Sequence, residues 1–130
     1  MARILLVDDV AAVRMAIGRV LARAGYNVDS ACNGNEALSL VVQRPPDAVL
    51  TDLWMPELDG LGLIRALRAM FPAVAIVAMS GGSHRYSQES SLDFALRAGV
   101  TRLLMKPIDT RDLLTAIVDA LDAPRAALAP

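Results

Sequence analysis

The run "AVAIVAM", residues 73–79, carries no polar side chain. A strand with one wet face alternates apolar and polar residues, whereas a strand covered on both faces does not need to. The run therefore predicts a central strand of a parallel sheet with helices packed above and below it. Phe71-Pro72 before it and Ser80-Gly81-Gly82 after it hold it to strand length.

Working outward, the same unit recurs along the chain. Arg3 to Val7 is a first apolar run, and Val10 to Ala24 follows with helical spacing through Val13, Ile17, Val20 and Leu21, stopped by Gly25. Tyr26 to Ala31 alternates as a strand, and Asn33-Gly34-Asn35 turns into a helix over 36–43 that Pro45-Pro46 ends. A third strand over 47–51 leads to a third helix over 60–70. A fourth helix is expected to end near Ala98, a fifth strand spans Val100 to Met105, and a last helix runs from Thr110 to Leu121 with Asp109 or Thr110 as its cap. Five strands alternating with five helices, joined by right-handed crossovers, predict a single α/β domain built on a doubly wound parallel sheet.

Composition narrows the function. The chain has 130 residues, 55% of them hydrophobic, and a formal net charge of −1, which gives no electrostatic case for binding nucleic acid or an anionic membrane surface. The apolar stretch ahead of Asp8 is too short for a signal-peptide core, and none is long enough for a membrane span. A single cysteine, Cys32, allows no internal disulfide and no paired-cysteine metal motif. These absences point to the cytoplasm.

In doubly wound sheets, ligands bind beyond the carboxyl ends of the strands, at the switch point of the strand order. The ends carry Asp8-Asp9, Asp52, Ser80 and Lys106, and only the second strand ends without chemistry, at Ala31-Cys32. With the order 2-1-3-4-5 the four polar ends are contiguous. Three converging carboxylates repel one another unless a cation sits among them, and a hard divalent ion such as Mg²⁺ suits carboxylates, a carbonyl, waters and a phosphate oxygen. Asp52 has a second role open to it, because carboxylates attack phosphorus to form an aspartyl phosphate. A hydroxyl and an ammonium then share the charge of the transferring group. Among twelve arginines, Lys106 is the only lysine, so the chain places a compact ammonium at one strand end alone.

The segments "VDD" (7–9), "DLWMPELDG" (52–60), "AMSG" (78–81) and "MKP" (105–107), in that order, resemble the receiver domain of two-component response regulators, including the chemotaxis regulators. The resemblance spans about residues 2–122 and leaves 123–130 as a flexible tail or linker. It implies a flavodoxin-like fold with Asp52 as phosphoacceptor, Asp9 as a direct Mg²⁺ ligand and Asp8 as an outer one. It also implies a ligand carbonyl from Trp54, a mobile hydroxyl on Ser80, an ion-pairing Lys106 and a cis Lys106–Pro107 bond. The implied donor is a sensor histidine kinase or a histidine phosphotransfer protein. The implied recipient is a downstream target or output domain that reads the fourth helix, fifth strand and fifth helix. A phosphorylation-dependent homodimer is a further implied partner. The domain would catalyse its own phosphorylation and dephosphorylation without being an enzyme in the turnover sense.

Three features depart from the pattern. Leu103 stands three residues before Lys106, where the family carries a switching aromatic; Trp54 is large for its position; and "GGSHRYSQESS" (81–91) lengthens the fourth connection. They keep alive a receiver-like scaffold that works without phosphorylation. An aspartate-nucleophile phosphohydrolase is a weaker rival, because Trp54 occupies the place of its second acid. His84 reads as a solvated loop residue, Cys32 as a small buried or half-buried thiol, and "GLGLIR" (60–65) as a chance echo of a dinucleotide motif lacking its third glycine. Arg14, Met15 and Gly18 offer either a solvated helix face or, by family analogy, the donor's docking site.

Overall fold

The computed structural model describes residues 1–53, 60–81, 93 and 97–122. Its elements are β1 (Arg3–Val7), α1 (Ala11–Arg23), β2 (Asn27–Ala31), α2 (Gly34–Gln43), β3 (Ala48–Asp52), α3 (Gly60–Met70), β4 (Ala75–Ser80), β5 (Arg102–Met105) and α4 (Thr110–Asp122). The strands form one parallel sheet in the order β2-β1-β3-β4-β5. Most of the sequence-predicted fourth helix lies outside the described residues, though Asp93, Arg97 and Ala98 are helical. Among the described residues no helix is long and apolar enough to cross a membrane.

The pleat sends alternate residues of each central strand to opposite faces. Leu5, Val7, Val49, Ile76 and Ala78 pack on one side against Ala37 and Val41 of α2 and Leu63, Ile64 and Leu67 of α3. Ile4, Leu6, Leu50, Val77 and Met79 pack on the other against Ile17 and Leu21 of α1 and Leu113, Ile117 and Ala120 of α4. Every residue of β4 is buried, as its unbroken apolar run requires.

Local chemistry sets the element ends. At the end of α1, Gly25 has φ +97°, its N–H donates to the Ala22 carbonyl and that of Tyr26 to Leu21, a Schellman closure that needs a left-handed residue there. Helix α2 begins two residues before the sequence-predicted start, because the Asn33 side chain accepts the Glu36 N–H and so caps the helix at Gly34. Asp109, rather than Thr110, caps α4 by accepting the Arg111 N–H at 2.7 Å.

Strand boundaries shift by up to two residues. Val74 N–H bonds back to Phe71, so the stretch entering β4 is a turn. The Thr101 hydroxyl accepts the Ile76 N–H at 3.1 Å in place of a backbone carbonyl, and the β5 ladder starts at Arg102 instead of Val100. Beneath the sheet, the Arg68 guanidinium donates to the carbonyls of Gly99 (2.8 Å), Pro72 (3.1 Å) and Val74 (2.5 Å), tying the loops that feed β4 and β5. Burial pushes this guanidinium below its usual pKa.

Candidate functional site

Strands β1, β3, β4 and β5 deliver their terminal residues to one rim. Asp8 follows β1 and is fully buried: its N–H donates to the Ala31 carbonyl at 3.2 Å, and its Oδ1 accepts the Val10 N–H at 2.9 Å. Asp52 is the last residue of β3, paired in register with Met79, and is 6% exposed. The Thr51 hydroxyl donates to the Asp52 carbonyl at 2.9 Å, and the Leu53 N–H donates to the Met79 carbonyl at 2.9 Å, so the peptide that follows the acid is held through both its carbonyl and its N–H. Asp9, by contrast, is exposed.

One carboxylate oxygen from each of Asp8, Asp9 and Asp52 lies within 4.8 Å of the others. Among the described residues this is the one cluster of acidic, histidine or cysteine side chains with such a spacing. The donor set is all hard oxygen, part buried and part open to water, and it fits a small divalent cation that keeps some of its own waters.

The Lys106 ammonium lies 3.2 Å from Asp8 Oδ2 and 3.2 Å from Asp52 Oδ2. Burial opposes its charge, but the fields of Asp52 and Asp8 and a hydrogen bond to each outweigh that cost and hold it above the ordinary lysine pKa. The Lys106 N–H donates to the Ser80 carbonyl at 2.8 Å, and the Lys106–Pro107 bond is cis. The Lys106 stem crosses Gly81, where a Cβ would lie 3.1 Å from its Cδ, so the bare glycine gives the stem its path. Among the described residues Ser80 Oγ, fully buried, has no hydrogen-bond partner.

The structure thus brings Asp8, Asp9, Asp52, Ser80 and Lys106 to one rim. Trp54 and His84 lie outside the described residues. Leu103 is half-buried and packs against the α2/α3 core in the place of an aromatic. Cys32 is exposed, contrary to the sequence reading, because it follows the end of an edge strand; it bonds to a Glu36 carboxylate oxygen at 3.1 Å, which raises its pKa. Two grooves of about 400 Å³ border the sheet: one between α1 and β2 is lined by Leu6, Met15, Gly18 and Val28, the other by Leu103 of β5, Ile108 of the connection that follows, and Asp112 and Ala116 of α4.

Sequence reasoning missed two residues here. Gly60 reads only as a helix start, yet its Cα abuts the Asp52–Leu53 backbone. Arg14 reads as helix surface, yet its Nη1 donates to the Asp8 carbonyl at 2.7 Å. The glycine sits in the quoted 52–60 motif, which could have flagged it; no local pattern announces a side chain reaching back to a carbonyl.

Residues 4–118 match the family model described as response regulator receiver domain. The chain is 39% identical over 112 residues to the response regulator MprA of Mycolicibacterium vanbaalenii, covering 86% of this chain and 47% of that protein. It is 38% identical over 115 residues to MprA of Mycobacterium leprae, covering 88% and 49%. The chain therefore spans about half the length of the curated relatives it matches. Among solved structures, a CheY-like receiver domain protein from Methanospirillum hungatei superposes with a TM-score of 0.86 at 29% identity, covering 99% of both chains. The receiver domain of NtrX from Brucella abortus does so at 0.84 and 27%, covering 93% of this chain and 99% of that one. With the rim residues placed at the strand ends and the match running through nearly the whole fold, the chain belongs to the response regulator receiver domain family.

Proposed function

We propose that the domain accepts a phosphoryl group on Asp52 from the phosphohistidine of a sensor kinase or phosphotransfer protein, with Mg²⁺ bound at the acidic rim. The observation that carries this reading is the Lys106 ammonium shared between Asp8 and Asp52 beside the buried Ser80 hydroxyl, which has no partner among the described residues. In this reading an Asp52 carboxylate oxygen attacks phosphorus, the P–O bond forms as the P–N bond breaks, and the donor imidazole leaves with the electron pair. Lys106 neutralises charge on the phosphoryl oxygens, and the Ser80 hydroxyl donates a hydrogen bond to one of them. Positioning and charge stabilisation supply most of what phosphoryl transfer needs. Asp8, Asp9, Asp52 and the Trp54 carbonyl would hold the cation, whose chemistry is to screen the negative charge between carboxylates and phosphate.

The domain acts as a signalling module rather than a turnover enzyme. Residues 1–122 form the receiver unit and 123–130 a tail or linker. The donor docks along α1 beside the site, and the groove between β5 and α4 faces the target or output domain. The protein works in the cytoplasm, where its kinase partner presents the phosphohistidine.

The test is intact mass after incubation with acetyl phosphate and Mg²⁺, followed by a phosphohistidine donor. One added phosphoryl group on the wild type, absent from Asp52→Asn and from a metal-free control, is the expected result. Equal labelling of Asp52→Asn overturns the site, and no labelling from either donor overturns the phosphoacceptor reading.

A further inference from the structure

The corner that joins β1 to α1 lacks the usual fastening. The cap residue of α1 is Val10, which makes no side-chain cap bond, and the first turn carries no acid. A corner that aims metal-binding acids needs some other restraint, because every degree of freedom left at Asp8 and Asp9 is lost on ion binding.

Arg14 supplies one. Its guanidinium reaches from the first turn of α1 back over the end of β1 and donates to the Asp8 carbonyl at 2.7 Å. Asp8 is otherwise fixed through its N–H, by Ala31, and through its carboxylate, by Val10 and Lys106. The Asp8 carbonyl shares a planar peptide unit with the Asp9 N–H, so fixing one fixes the plane that leads into Asp9. Asp9 is the exposed acid of the cluster, and its N–H belongs to that plane.

We infer that Arg14 is a positioning residue for the cation site: through the Asp8 carbonyl it orients the Asp9 carboxylate toward the ion. This rests on the Mg²⁺ reading given above and adds a residue outside the metal ligands and outside the phosphoryl chemistry. It also makes a prediction of unusual sign. A guanidinium near a cation site repels the cation, so if charge were all that Arg14 contributed, its removal would tighten Mg²⁺ binding. If it positions Asp9, its removal weakens binding.

The experiment is a Mg²⁺ titration followed by ¹⁵N–¹H NMR on wild type, Arg14→Met, Arg14→Lys and Arg19→Met, with thermal unfolding of the same samples. The expected result for Arg14→Met is a loss of Mg²⁺ affinity of about tenfold, the lower end of what outer-shell partners of metal ligands give. Its Asp9 amide resonance should already be displaced before metal is added. Arg14→Lys, with the charge kept but a shorter arm, weakens binding too and decides the matter if Arg14→Met does not fold. Arg19→Met, at an exposed position further along α1, stays within about twofold of wild type, as expected for exposed charges screened by solvent. Equal or tighter binding by both Arg14 variants overturns the positioning role alone, whereas a wild type that binds no Mg²⁺ overturns the metal reading on which it stands.

Discussion

Gly60 stands against the backbone of Asp52: a Cβ built on the glycine would overlap the Asp52 carbonyl oxygen and lie 2.6 Å from the Leu53 Cα. The Gly60 N–H also donates to the Leu53 carbonyl at 3.0 Å, so the start of α3 is fastened directly beneath the acid. Backbone atoms cannot yield as a flexible side chain would. Gly60→Ala is therefore expected to cost about 1–3 kcal/mol of stability, the usual penalty of overpacking, and to displace Asp52. Chemical denaturation and acetyl phosphate labelling measured on one preparation test this; a variant labelled as fast as wild type despite lower stability would show that the acid is held from elsewhere.

Ser80 separates stability from signalling. Its buried hydroxyl has no partner among the described residues, which is a net cost to the folded state, so Ser80→Ala should unfold at the same urea concentration as wild type or a higher one, with a gain of up to about 1 kcal/mol. On the proposed phosphoacceptor reading, phosphorylation of the wild type is expected to change the spectra of β4 and β5, and that change should shrink in the same variant. A clear loss of stability would mean that the hydroxyl is satisfied in solution.

Lys106 predicts a pH dependence of definite sign. The folded state holds its ammonium above the ordinary lysine pKa, so its contribution is complete below that ordinary value and is lost as pH rises through the higher folded one. The stability difference between wild type and Lys106→Met should stay flat from about pH 6 to about pH 9, where lysine is charged in both folded and unfolded states, and narrow only in stronger alkali. Its size should be about 3 kcal/mol, since the variant leaves the buried carboxylates of Asp8 and Asp52 without their cation. Added Mg²⁺ should stabilise this variant more than wild type, which a thermal shift series reads directly.

Arg68 is a strut remote from the rim. Arg68→Met removes its hydrogen bonds to the carbonyls of Gly99, Pro72 and Val74 and is expected to cost about 2–3 kcal/mol, with Mg²⁺ affinity unchanged. Loss of affinity in a folded Arg68→Met protein would mean that the loops below the sheet are coupled to the site above it.

The parts legible in the sequence were those that repeat with a period or end an element. The apolar run of β4 gave the parallel sheet, and the polar residues at four strand ends gave the rim, because burial on two faces and the switch point are both written in local pattern. Boundaries moved where a side chain took over a backbone hydrogen bond, as Asn33 does for α2 and Thr101 does for β5. The exposure of Cys32 was missed because a thiol's burial depends on whether its strand lies at an edge. The contact of Arg14 with the Asp8 carbonyl depends on how a helix sits over a strand end, a tertiary fact with no periodic trace.

The sheet that carries the rim also works as a partition. Its alternate side chains feed two apolar clusters that share no member, one with α2 and α3 and the other with α1 and α4. Truncating Leu67 and Ile117 together should thus cost close to the sum of the separate costs, since distant residues without common neighbours add. Each half of the core is in effect insulated from the other, so substitutions can accumulate around one surface groove while the opposite side keeps its packing. Both grooves border the α1/α4 half, so the α2/α3 half can change its packing without reshaping either of them.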